Sequence, residues 1–232
     1  MFLSDLQTNI TKKLFDSGIE TSSLDSRIIL KEIFCFDEKE LILNSQIIVP
    51  DNKINEVDEV LSRRLRGEPV SKIFGKREFY KSTFFISEDV LDPRPETELI
   101  VEIAKNFILD RGYKNFIDLG TGSGCIILSI LKDNKNLSAL GIDISFKAIN
   151  IAQKNSMNLN LEKQATFIVS NWLSPISDFY DLIISNPPYI PSKDINTLAN
   201  NVKDYDPLLS LDGGDDGLKC YREIAEDINR II

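Results

Sequence analysis

Two stretches of the chain hold side chains able to do chemistry, and each begins where an apolar run stops. Asn186-Pro187-Pro188-Tyr189 follows Tyr180-Asp181-Leu182-Ile183-Ile184-Ser185, a run with the length and β-rich composition of a buried strand. Two consecutive prolines can neither donate to a ladder nor continue a helix, so strand and pairing end together here. The four residues form a stiff turn at a strand's carboxyl end, which in an open parallel sheet is where ligands bind. Asn186 offers an amide oxygen, the Pro187 carbonyl can point the same way, and the Tyr189 ring lies just beyond. Two acceptors and a flat wall suit a planar group carrying an NH2. By itself the tetrapeptide reads equally well as a plain turn.

The second stretch is Gly120-Thr121-Gly122-Ser123-Gly124, set between Phe116-Ile117-Asp118-Leu119 and a helical run from Cys125 to Leu131. A lone glycine pattern of this kind is weak, since any tight strand-to-helix turn can use it. Its context is stronger, because Asp143 ends the next apolar run about 20 residues later, the spacing at which a carboxylate meets ribose hydroxyls. Asp118 stands two residues before the first glycine, where an acid would serve a pyrophosphate poorly and an ammonium well. A cofactor with an amino acid at one end and a ribose at the other is S-adenosylmethionine, so a methyltransferase is favoured over a dinucleotide enzyme. Past the third apolar run, Asn171 could accept from an adenine amino group and Trp172 could pack the rim, although a single tryptophan reads as well as core.

These residues need a scaffold, and from residue 115 onward the chain alternates strand and helix, the pattern of a parallel sheet with right-handed crossovers. Strands are expected at Phe116–Leu119, Leu140–Asp143, Thr166–Val169 and the run into Asn186, with a last helix at Arg230-Ile231-Ile232. Ahead of them, Pro93-Arg94-Pro95-Glu96-Thr97-Glu98 fixes an extended entry and puts acids in the first turn of a helix running to about Asp110. Capping explains those acids, and a ligand contact from Arg94 or Thr97 stays open. Residues 70–92 hold short β-prone runs (Val70, Ile73, Phe74, then Phe79, Tyr80, Phe84, Phe85, Ile86) broken at Gly75 and at Lys81-Ser82-Thr83, and read as a β-hairpin linker. Residues 1–69 read as a small helical bundle: Leu3, Leu6, Ile10 and Leu14 share one face, then Leu24, Ile28 and Ile29, then Val57, Val60, Leu61 and Leu65. Residues 93–232 would be the catalytic domain.

Composition narrows the classes further. A net charge of -9 argues against a protein that chiefly grips a nucleic-acid backbone. Within that acidic chain, Arg63, Arg64, Arg66, Lys72, Lys76, Arg77 and Lys81 face only Glu68 and Glu78, which reads as a solvated surface or as a docking face. Cys35, Cys125 and Cys220 lie far apart, so neither a metal site nor a disulfide framework is suggested. No signal region or uncharged apolar stretch of about 18 residues occurs, so a cytoplasmic location is expected. The chain contains no histidine, and proton transfer must do without imidazole.

Taken together, the motifs resemble the class I, S-adenosylmethionine-dependent methyltransferases that modify the glutamine side-chain amide of peptide chain release factors, the PrmC/HemK family. The resemblance rests on Arg64-x-x-Gly-Glu-Pro-Val70, Gly75-Lys-Arg-Glu-Phe79, Pro93–Glu98, Asp118–Gly124, Ser185-Asn-Pro-Pro-Tyr-Ile190 and Gly213-Gly-x-Asp-Gly-Leu218. Asn-Pro-Pro-Tyr alone is shared with enzymes that methylate adenine or cytosine amino groups in DNA, whereas the segments between Arg64 and Phe79 are specific to the release-factor family. The resemblance implies an α/β fold: a Rossmann-like class I domain preceded by a helical substrate-docking domain and a hairpin linker. It implies S-adenosylmethionine contacts from Gly120, Thr121, Gly122, Ser123, Gly124, Asp143, Trp172 and Asn186. The glutamine of a GGQ motif would be held by Asn186, Pro187, Pro188 and Tyr189, with Asn186, Pro187 and Tyr189 catalytic. Release factors are the implied partners, and no membrane or stable nucleic-acid binding is expected. Asn171 stands where the family usually has an aspartate, so its contact with adenine would lack a charge.

The resemblance also implies a seven-stranded sheet, of which four strands are visible. The sheet is therefore expected to be incomplete, the chain truncated at its C-terminus, and the strand before Asn186 supported from one side only. Three readings remain: a release-factor glutamine methyltransferase, a methyltransferase for nucleic-acid amino groups, and a truncated non-catalytic binding remnant.

Overall fold

Apolar residues at three- and four-residue spacing make helices wherever one face can be buried, and the first part of the chain is built this way. The computed structural model describes residues 1–174 and 176–228, and its contacts divide the chain into two units, Met1–Phe74 and Gly75–Ile232.

In the first unit, α1 (Leu3–Asp16) buries Leu3, Leu6, Ile10 and Leu14. It is followed by α2 (Ser22–Phe34), α3 (Glu38–Leu43), α4 (Asp51–Leu65) and α5 (Val70–Phe74). A reciprocal cap starts α3: Glu40 N donates to the Asp37 carboxylate and Asp37 N to the Glu40 carboxylate, each at 2.8 Å. Two expected faces are displaced, and one ion pair accounts for both. Leu24 and Leu65 are exposed, while Asp25 and Arg64 are buried with Ile29, Leu30, Val57 and Leu61. Arg64 Nε donates to Asp25 Oδ2 at 2.7 Å, and turning these two side chains inward rotates Leu24 and Leu65 out. Removing one partner of such a buried pair costs about 3–5 kcal/mol. The apolar residues Val70, Ile73 and Phe74, expected in a strand, lie in helix α5; their spacing of three and one is helical, and Gly75 stops it.

The second unit opens with an antiparallel hairpin, β1 (Lys76–Phe79) and β2 (Ser82–Phe85). Its two-residue turn is Tyr80-Lys81, earlier than the expected break at Lys81-Ser82-Thr83, and both residues adopt left-handed backbone (φ 42° and 62°) without a glycine. That conformation is disfavoured for side chains with a Cβ, and local contacts offset it. Tyr80 N donates to Glu98 Oε1 at 3.0 Å, and Lys105 Nζ stands 4.4 Å from the centre of the Tyr80 ring. Phe79 and Phe84 are fully buried in the main core of this unit.

Helix α6 (Glu98–Arg111) leads into strands β3 (Asn115–Leu119), β4 (Ser138–Asp143), β5 (Ala165–Val169) and β6 (Leu182–Ser185). All four pair in parallel in the order β5-β4-β3-β6. Helix α7 (Cys125–Leu131) crosses from β3 to β4, and α8 (Phe146–Asn158) from β4 to β5. Every residue of α7 is buried, which explains its continuous apolar sequence. The other sheet face is covered by Leu173, Ile176 and Ile224 against Ile117, Leu119, Leu140 and Ile142. After β6 come the short helix α9 (Asn200–Lys203) and α10 (Lys219–Asp227), which supplies Ile224. The helix expected at Arg230–Ile232 lies outside the described residues.

Among the described residues β3 is the strand that pairs with β6, but the turn after it is not held from one side alone. Ile190 N donates to Leu211 O at 3.1 Å, Gly213 N to Ile190 O at 2.8 Å, and Ser192 N to Gly214 O at 2.9 Å. The Leu211–Gly214 segment thus holds the turn through a short parallel bridge between Ile190 and Asp212. Among the described residues β6 is an edge strand, as expected, whereas the turn that follows it is held from a second side as well.

Candidate active site

The carboxyl ends of β3, β4 and β6 bring the two chemical stretches together. The chain leaving β3 bends over the end of β4, where Gly120 N and Thr121 N both donate to Ile142 O at 2.8 Å. Asp143 completes the tie. Its Oδ2 accepts from Gly122 N and its Oδ1 from Ser145 N, each at 2.9 Å. Each carboxylate oxygen keeps a further lone pair for a diol. Burial raises the Asp143 pKa, and the amides of Ser145 and Gly122 oppose the shift.

A cavity of about 440 Å³ opens over this loop, within the usual range of roughly 300–1,000 Å³ for small-molecule sites. Gly120, Gly122, Asp143, Asn171, Trp172, Asn186 and Pro188 line it. Trp172 has left-handed backbone (φ 48°) and donates from Nε1 to Glu223 Oε2 at 2.7 Å. Its ring stands 3.6 Å from where a Cβ on Gly120 would sit, an ordinary van der Waals distance, so it is the positive φ of +73° that favours glycine there.

Thr121, Ser123 and Gly124 stand behind the cavity wall. Thr121 is buried and donates from Oγ1 to Asp118 Oδ2 at 2.7 Å. Ser123 O accepts from Asn155 Nδ2 at 2.8 Å, and Asn155 also accepts from Phe85 N at 2.7 Å, tying loop, helix and hairpin together. Asp118 does not reach the cavity, contrary to the reading that set its carboxylate against an ammonium. It is fully buried under the loop, and its Oδ1 has no hydrogen-bond partner. Burial pushes its pKa up to about 7, with the nearby Asp143 charge adding to the rise and the Thr121 hydroxyl opposing it.

The cavity's charge comes instead from Asp143 together with acids that the motifs do not include. Glu88, Asp89, Asp143, Asp212 and Glu223 line it against one lysine, Lys219. An acid-lined wall suits a cationic ligand and repels a pyrophosphate.

A second cavity, of about 370 Å³, lies on the other side of the turn. Pro188 lines the first cavity, Pro187 and Tyr189 line the second, and Asn186 lines both. Asn186 Nδ2 points to Thr97 Oγ1 across a long contact of 3.5 Å. A Cβ on Gly217 would lie 2.4 Å from Tyr189 O, and Gly217 has φ +77°, so this glycine lets the supporting turn close on the Asn-Pro-Pro-Tyr backbone. The second cavity also takes Leu91, Arg94, Thr97, Val202, Ser210 and Leu211. Of these, Arg94 and Thr97 were marked by the proline-rich entry, while Val202, Ser210 and Leu211 sit in a segment whose composition signals only loop.

A parallel α/β sheet, a glycine loop, a strand-end carboxylate and an acid-lined cavity define a methyltransferase of the Rossmann-like class. The Methyltransferase small domain model matches residues 80–204, and the PrmC N-terminal domain model matches residues 5–75. The chain is 39% identical over 222 residues to a release factor glutamine methyltransferase of Caulobacter vibrioides, covering 95% of this chain and 76% of that protein. It is 36% identical to proteins of the same name from Agrobacterium fabrum (95% of this chain, 78% of that one) and Clostridium acetobutylicum (90% and 74%). In structure it resembles the hMettl16 catalytic domain, solved with MAT2A 3′UTR hairpin 6, at a TM-score of 0.52 and 16% identity, over 81% of this chain and 67% of that one. That likeness speaks for the fold alone. The chain belongs to the release factor glutamine methyltransferase family.

Its methyl donor is S-adenosylmethionine, and the residues present fit that group. The Asp143 carboxylate keeps acceptor capacity for a ribose, Gly120 and Gly122 allow close approach, and the acidic lining matches a sulfonium and an ammonium. Among the described residues no helix is long and apolar enough to cross a membrane.

Proposed function

We propose that this chain methylates the side-chain amide nitrogen of the glutamine in the GGQ motif of a peptide chain release factor, in the cytoplasm. One observation carries the reading: Asn186 borders both cavities, so a single side chain can face a methyl donor on one side and an acceptor on the other. The names of the relatives, release factor glutamine methyltransferase, support the choice of acceptor.

An amide nitrogen is a poor nucleophile because its lone pair is delocalised into the carbonyl. When bound, S-adenosylmethionine supplies a methyl group made electrophilic by its sulfonium. The chain's own contribution is placement. Asn186 Oδ1 and the Pro187 carbonyl accept the two N–H groups of the acceptor amide, and Tyr189 packs against its plane. Thr97 takes the Nδ2 end of Asn186, which leaves Oδ1 for the substrate. Orientation of this kind is worth up to about 7–11 kcal/mol of barrier in model reactions. The same acceptors stabilise positive charge growing on nitrogen. The cationic methylated amide is a strong acid and gives its extra proton to water, so no imidazole is required, in keeping with a chain that has no histidine. The helical unit would dock the release factor, and Gly120 to Gly124, Asp143, Trp172 and Asn186 would hold the cofactor.

The basic run does not favour nucleic acid as the acceptor. Arg63 pairs with Glu68, Arg64 with Asp25, and Arg77 stands 3.6 Å from Asp92. Acceptor choice is tested by offering labelled S-adenosylmethionine with either an intact release factor or duplex DNA. Label is expected on the protein, and label on DNA alone would overturn the reading.

A further inference from the structure

The proline-rich entry holds a residue whose chemistry the transfer step does not use. Arg94 lies between Pro93 and Pro95 in extended backbone (φ -88°, ψ 143°), so its main chain is fixed by its neighbours. Its guanidinium is fixed as well: Nη2 donates to Asp206 Oδ2 at 2.6 Å. Asp206 in turn accepts from Asp92 N at 3.0 Å. The pair is lopsided, with the Asp206 side chain 1% exposed and that of Arg94 33% exposed. The structural pair Arg64–Asp25 is sealed at both ends, at 10% and 10%. Arg94 thus has one nitrogen clamped, and the residue lines the second cavity together with Asn186 and Tyr189.

We infer that Arg94, clamped by Asp206, anchors the main chain of the substrate peptide in the second cavity, through carbonyl oxygens flanking the acceptor glutamine. The inference rests on the acceptor being a protein glutamine, as proposed above. An arginine has five N–H donors, and one nitrogen engaged by Asp206 leaves others for acceptors. Its charge is balanced by Asp206, and Glu96 also lines the cavity, so the wall offers no surplus positive charge to a phosphate or a carboxylate. Donors without surplus charge suit neutral acceptors, and the main chain of a peptide supplies them at regular spacing. A guanidinium that is already held loses little entropy on binding, which favours affinity. Arg94 is thereby a specificity residue: it contributes to holding the acceptor and leaves the transfer step to Asn186 and Pro187.

The experiment measures kcat and KM for methylation of an intact release factor by the parent, Arg94→Met, Arg94→Lys and the double variant Arg94→Met with Asp206→Asn, with cofactor affinity by calorimetry. Arg94→Met is expected to raise KM for the release factor at least tenfold, with kcat within about threefold and cofactor affinity unchanged. Arg94→Lys, which keeps a donor, should recover most of the loss. The double variant controls for a carboxylate left buried without its partner, and should keep the raised KM. Recovery of KM in the double variant would show that Arg94 serves only to neutralise Asp206, and would overturn the inference. So would an unchanged KM in Arg94→Met, or a fall confined to kcat. A parent that methylates no release factor overturns the functional reading, and the inference with it; a parent that does so with an indifferent Arg94 overturns the inference alone.

Discussion

The cavity over the glycine loop and the cavity beside Tyr189 share Asn186 but are assembled differently. The floor of the first is set by the sheet: across two adjacent strands Gly120 N donates to Ile142 O and Gly122 N to the Asp143 carboxylate, while Glu88, Leu91, Pro207, Asp212 and Glu223 add to its walls. The second takes its walls from Leu91 to Ile100, from the turn after β6, and from Val202 to Leu211. Its support, the Leu211–Gly217 segment, reaches the turn across more than twenty residues of chain. A site framed by neighbours in a ladder is held by the sheet. A site framed by distant loops depends on each loop being in place, so the two halves should fail separately.

That difference also explains what could be read beforehand. Strand ends, the glycine loop and Asp143 follow from periodicity and spacing, because the sheet imposes both. Asn186 to Tyr189 stood out because paired prolines leave few conformations. Hidden from a linear reading were the residues whose partners lie far away: Asp206 under Arg94, Glu223 on Trp172, and Asn155 joining loop to hairpin. Asp118 was legible as an acid beside the loop, but its burial was not, since only the packed structure shows Thr121 closing over it. In the helical unit the Arg64–Asp25 pair turned two faces that leucine spacing alone had set differently.

The sharpest way to break the comparison is Gly217→Val. The new side chain collides with Tyr189 O and cannot easily keep the positive φ, so the turn bearing Asn186 must shift. Turnover should fall about a hundredfold or more, the scale of a 1 Å misplacement. Cofactor affinity by calorimetry should change by less than about fivefold, since α10 is held separately through Ile224 and through Glu223 on Trp172. An equal loss of both would mean that the two halves are one structural unit.

Asp143→Ala addresses the other half. Losing hydrogen bonds to a charged acceptor is worth about 1.5–3 kcal/mol, so cofactor affinity should weaken roughly ten- to a hundredfold. KM for the protein acceptor should stay within about threefold. An unchanged cofactor affinity would show that the ribose is not held at the end of β4.

The smallest expected effect concerns stability, at Asp118. Its pKa rises from 3.8 to about 7 in the folded chain, so the folded state binds the proton more tightly than the unfolded state does. Stability from this group is therefore present below the unfolded value and is lost as pH climbs through about 7. Asp118→Asn abolishes that titration. Its melting temperature should gain on the parent's by a few degrees between about pH 5 and pH 8, as scanning calorimetry can follow. A constant difference across that range would show that Asp118 does not titrate there.

The central claim, that Asn186 is where donor and acceptor meet, is tested most directly by mapping the transferred methyl group with mass spectrometry of a release factor treated with the parent and with Asn186→Ala. The parent should place the methyl on the side-chain amide nitrogen of one glutamine. Asn186→Ala should leave the factor unmodified over the same time while its cofactor dissociation constant rises by no more than about tenfold, the worth of one hydrogen bond. A methyl group found on another residue, or on the same glutamine at an undiminished rate in Asn186→Ala, would contradict the account.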